Sequence, residues 1–141
     1  MNREILFRGK RIADGEWFEG DLYKRTITTP KSKNVIYHIV ELNYDFADED
    51  EFEPISQSGF EEVVIPETVG QYTGLTDKNG KKVFEGDILK NGYGGIRVVV
   101  FMNTRFILKN INNNQCSSWA YMDKHEIIGN VHDNPELLKG E

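Results

Sequence analysis

The spacing of turn signals constrains this chain most. Asp14-Gly15, Asn79-Gly80 and Gly92-Tyr93-Gly94-Gly95 each stand between short runs rich in β-branched and aromatic residues. Asp-Gly and Asn-Gly favour the left-handed backbone of tight hairpin turns, so the chain is expected to reverse there. The first dipeptide separates residues 8–12 from 16–22, and the second separates 71–75 from 82–84. Residues 35–40 and 96–102 read as strands without clean alternation, which predicts cover on both faces. Residues 105–109 are the expected partner of the latter, because residues 103–104 leave room only for a tight hairpin. The asparagine-rich stretch 110–114 reads as a loop, 126–131 as a last strand, and 134–138 as a short helix opened by Pro135. The expectation is a mainly β protein built on a small β-barrel with an N-terminal hairpin.

At 141 residues the chain has the length of one domain. Residues 1–42 are read as N-terminal strands, 43–62 as an acidic, less regular insertion, and 63–138 as the barrel core. Charge marks the insertion. Residues 34–77 hold eleven acids and no lysine or arginine, against a net charge of −6 for the whole chain. Six acids fall within residues 45–53, and such a run repels itself into a solvated segment. Asp48, Glu49, Asp50 and Glu51 are the candidate acidic surface. The glycine and closing glutamate of a calcium loop are missing there. No apolar run is long enough to span a membrane and no signal-peptide core is present, so a cytoplasmic protein is expected. The single cysteine, Cys116, excludes an internal disulfide and a multi-cysteine zinc site.

One heptapeptide occurs twice. Phe18-Glu19-Gly20-Asp21-Leu22-Tyr23-Lys24 matches Phe84-Glu85-Gly86-Asp87-Ile88-Leu89-Lys90. Each copy follows a turn dipeptide, so both are expected to be the same supersecondary device. The glycine would allow a bulge or close backbone approach, and the aspartate would accept backbone N–H groups. The alternative, four carboxylates gathered for acid–base or metal chemistry, needs the copies to meet in space.

The run Pro66-Glu67-Thr68-Val69-Gly70-Gln71-Tyr72-Thr73-Gly74-Leu75-Thr76-Asp77-Lys78-Asn79-Gly80-Lys81-Lys82-Val83-Phe84-Glu85-Gly86-Asp87-Ile88 resembles the signature of the YopX family. The opening Arg3-Glu4-Ile5-Leu6-Phe7-Arg8 and the ending Ile127-Ile128-Gly129-Asn130-Val131-His132-Asp133-Asn134-Pro135-Glu136-Leu137-Leu138 resemble it too. The resemblance implies a phage or prophage protein acting inside a bacterial cell, with an SH3-like barrel. It brings no assigned activity and no catalytic residues.

The remaining residues offer little chemistry. His38, His125 and His132 lack the spacing of a helical zinc pair, and Cys116 lacks the surroundings of a nucleophile. Neither a catalytic residue, a metal nor a cofactor is expected. The leading expectation is a non-enzymatic module that binds a protein partner or self-associates into a homo-oligomer, using exposed sheet edges. A nucleic-acid-binding barrel is the first alternative. Its candidates are aromatics beside cations: Tyr23 with Lys24 and Arg25, Tyr72 near Lys78, and Tyr93 with Lys90 and Arg97. An acidic inhibitor that mimics DNA toward a host factor is the second. Trp17, Phe18, Tyr72, Phe84 and Phe106 are the core or platform candidates.

Overall fold

A computed structural model describes residues 4–41, 61–117 and 124–139. The acidic quartet Asp48, Glu49, Asp50 and Glu51 lies outside the described residues. The chain divides into two compact units, Leu6–Val69 and Gly70–Glu141 together with Met1–Ile5.

The first unit carries β1 (Phe7–Lys10), β2 (Trp17–Thr29), β3 (Ser32–Val40) and β4 (Glu61–Val64), antiparallel in the order β4-β3-β2-β1. β4 takes up Glu61 and Glu62, the last two residues assigned from sequence to the insertion, and pairs them with β3. The Asp14-Gly15 reversal joins β1 to β2 as expected. Gly15 is left-handed at φ 73°, and Asp14 accepts the Glu16 N–H at 3.0 Å. Ile39 and Val64 form the buried centre. Gly9 faces them so closely that a Cβ there would stand 3.0 Å from the Val64 Cβ. The sheet curls until Arg11 bridges Val64, and the Ile65 N–H donates to the Lys10 carbonyl at 2.8 Å. A 3₁₀ turn, Pro66–Thr68, follows, and the Thr68 hydroxyl accepts the Lys10 N–H at 2.9 Å.

The second unit carries β5 (Gly70–Thr76) and β6 (Lys82–Phe84) as an antiparallel pair. It then forms a sheet of β7 (Asp87–Asn91), β8 (Ile96–Met102), β9 (Arg105–Asn110), β10 (Cys116–Ser117) and β11 (His125–Asn130). The order is β10-β9-β8-β7-β11. Val83, Leu89, Val99 and Leu108 make its buried cluster, with Phe106 and Ile127 packed against it. Ile88 and Ile107 are buried on the opposite sheet face. The expected turns all form. Gly80 and Gly94 are left-handed, and Asn103 and Thr104 carry the β8–β9 turn at φ 53° and 66°. Pro135–Leu138 is the expected short helix, of 3₁₀ type.

Two expectations are corrected. The chain is mainly β, but the sheet of residues 87–130 is open rather than a closed barrel. Among the described residues β10 pairs only with β9 and β11 only with β7, at the two ends of the order. The two heptapeptide copies are also not one device. Gly86 is left-handed at φ 91°, and Asp87 accepts the Phe84 N–H at 2.7 Å. Gly20 instead lies within extended β2, where a Cβ would collide with the Val40 carbonyl. Asp21 is exposed on that strand.

Candidate binding surface

β2 is much longer than its neighbours require. β1 covers it only from Trp17 to Gly20, and β4 covers β3 only from Tyr37 to Val40. Residues 25–29 and 32–36 therefore pair only with each other, as a two-stranded arm. Thr26-Ile27-Thr28-Thr29 supplies the β-branched residues that favour extended chain. Pro30 sets the turn, and the Thr29 hydroxyl accepts the Ser32 N–H at 3.0 Å. Both faces of the arm are solvated. Tyr23, Ile27 and Val35 are 40%, 40% and 44% exposed.

Register assigns the arm's side chains to its two faces. Lys24 opposes Tyr37, Thr26 opposes Val35, and Thr28 opposes Lys33 on one face. Tyr23 opposes His38, Arg25 opposes Ile36, and Ile27 opposes Asn34 on the other. The Lys24 ammonium sits 5.4 Å from the Tyr37 ring centre. At the arm's base, Tyr23 stacks on His38 with ring centres 4.7 Å apart and planes within 4°. Glu61 Oε1 lies 2.8 Å from His38 Nδ1. Burial, then the charge of Arg25, nevertheless lowers the His38 pKa, so neutral imidazole is favoured.

The sequence candidates do not converge. Tyr23 and Lys24 are adjacent on β2 and so point to opposite faces. Tyr72 is 9% exposed and packs on Phe84 at 5.6 Å, which makes it core rather than platform. Lys82 lies over its ring; Lys78 pairs with Glu126 at 3.4 Å. Tyr93, 94% exposed, caps the β7–β8 turn. Lys90 opposes Ile96 and Arg97 opposes Leu89, so those two cations lie on opposite faces of the sheet. Trp17 and Phe18 are half-buried and Phe84 is buried. Lys31, Lys33, Thr26 and Thr28, which the arm also exposes, are not among the sequence candidates. The run of β-branched residues before Pro30 was the available signal.

Two carboxylates of the second unit are held by backbone N–H groups. Asp87 is 2% exposed and engaged by the Phe84 N–H. Asp77 accepts N–H groups from Asn79 and Lys81, both at 2.9 Å, and from Ile127 at 3.1 Å. Burial works to raise its pKa, but these bonds outweigh it and the pKa is lowered. Burial raises the pKa of Glu85. Among the described residues, no group of three or more His, Cys, Asp or Glu side chains is placed to hold a metal ion. Cys116 is exposed and unbridged. No helix among the described residues is long and apolar enough to cross a membrane.

These observations define a class: a mainly β protein of short antiparallel strands from which one long hairpin projects. The chain belongs to the YopX family, whose model matches residues 6–139. It is similar in fold to protein EF1440 from Enterococcus faecalis, known from a crystal structure. That similarity has a TM-score of 0.52 and 23% identity, covering 98% of this chain and 100% of that one. Curated proteins include no match to this sequence.

Proposed function

We propose that this chain is a non-enzymatic binding module that contacts a protein partner or a second copy of itself through the β2–β3 arm. The setting implied by the resemblance, a phage or prophage protein in a bacterial cytoplasm, is part of the proposal. One observation carries it. Beyond Gly20 and before Tyr37, the outer edges of β2 and β3 have no strand partner among the described residues. Such edges present backbone N–H and C=O groups in the register that an added strand needs. Exposed Tyr23, Ile27 and Val35 add apolar surface beside them.

The test is sedimentation of the full chain across a concentration series, together with capture of proteins from a bacterial lysate. A variant with residues 26–35 replaced by Asn-Gly, which keeps Arg25 opposite Ile36, serves as the comparison. The expected result is an assembly or a defined protein partner that the shortened variant loses while keeping its β circular-dichroism spectrum. A monomer that captures the same proteins with and without the arm overturns the reading.

A further inference from the structure

The faces of the arm, as distinct from its edges, carry a second kind of information. Between Leu22 and Val40 the chain has four cations, Lys24, Arg25, Lys31 and Lys33, and no aspartate or glutamate. None of these cations makes an ion pair among the described residues, whereas Arg11, Lys78 and Lys82 each meet a carboxylate. Four cations with no ion pair among the described residues, on an exposed ribbon without an acid of its own, favour a local positive field, although the whole chain is acidic.

Their placement matters as much as their number. Lys24 and Lys33 stand at the two ends of one face, Thr26 and Val35 lie between them, Thr28 stands opposite Lys33, and Lys31 lies in the turn at the tip. Five register pairs, Arg25↔Ile36 to Thr29↔Ser32, form the two-stranded part, a length of roughly 13 Å at about 3.3 Å per residue, and β4 adjoins β3 from Tyr37 onward. The strands of such a ribbon lie about 4.8 Å apart. A two-stranded ribbon fits the major groove of B-DNA, which is about 12 Å wide. Lysines reach the flanking phosphates, while threonine hydroxyls and methyl groups suit groove edges and thymine methyls.

We propose that the Lys24–Lys33 face of the arm binds a nucleic-acid duplex by its phosphates and groove. The proposal goes beyond the protein-binding reading and shares with it only the projection of the arm. Side chains make this contact; backbone edges make the other.

The test is fluorescence anisotropy of the full chain with a fluorescein-labelled 20-base-pair DNA duplex over a salt series. Three to four phosphate contacts predict an affinity loss of about 40- to 150-fold between 50 and 200 mM salt. Lys24→Gln with Lys33→Gln is expected to reduce the slope of log affinity against log salt by about 1.8. Arg105→Gln with Lys109→Gln, both on β9, is expected to leave it unchanged. Circular dichroism confirms that both variants fold. The proposal is overturned by no binding at 50 mM salt, by an unaltered slope in the arm variant, or by equal binding of a single strand. Displacement by polyglutamate at matched anion concentration also overturns it, and identifies an acidic polypeptide as the ligand. Duplex binding without any arm-dependent protein partner would defeat the protein-binding reading alone.

Discussion

Gly20 and Gly86 occupy the same place in the two heptapeptide copies and are needed for different reasons. Gly86 holds φ 91°, a region that costs a β-branched residue about 1–3 kcal/mol. Its N–H donates to the Val99 carbonyl at 2.8 Å, and its own carbonyl accepts the Val131 N–H at 2.9 Å, so the backbone has little freedom to escape. Gly86→Val is therefore expected to lower stability by about that amount, as measured by urea unfolding. An unchanged midpoint would count against strain at this residue. Asp77 is a second test at this scale. Its depressed pKa contributes stability that is fully present above the unfolded value of about 3.9 and is lost as pH falls through the lower folded value. The stability gap between native protein and Asp77→Asn should stay constant above about pH 5 and narrow below about pH 4. Unfolding curves across that range decide it; a gap that widens in acid would show that the three N–H bonds do not hold the carboxylate ionised.

At the scale of elements, the arm contrasts with the core strands. β7 reads Asp87, Ile88 and Leu89 buried in succession, because both faces of its sheet are covered. β2 is exposed at every position from Tyr23 to Thr29. Strand residues that bury no surface add little to folding, since hydrophobic stabilisation scales with apolar area removed from water. Replacing residues 26–35 by Asn-Gly, which keeps Arg25 opposite Ile36, is accordingly expected to change unfolding free energy by less than about 1 kcal/mol, within the range of surface changes. A loss of several kcal/mol in calorimetry would mean that the arm packs on something in solution. The turns were legible because each carries its own chemistry. Asn91 Oδ1 accepts the N–H groups of Tyr93 and Gly95, both at 2.9 Å, without help from distant residues. The arm was less legible. Residues 23–34 carry β propensity, yet nothing local says that neither face will be buried.

For the whole molecule, the uneven burial predicts an uneven distribution of opening free energies. Amides of β7 and β9, bracketing Leu89, Val99 and Leu108, are expected to exchange slowest with deuterium. Amides of residues 24–35 are expected to exchange fastest among the strands, and uniform protection would show the arm to be covered in solution. The sequence by itself determined the mainly β class, the places where the chain reverses, the acidic middle and the family, because each is written in local chemistry or in a long contiguous motif. Tertiary structure decided the rest. Whether the sheet closes depends on which strands meet β10 and β11, a long-range pairing that no window of residues contains. Which aromatics serve as core also depends on what covers them. Tyr72 meets Phe84 and is buried, while Tyr93, with the same ring, finds no cover and remains almost wholly exposed.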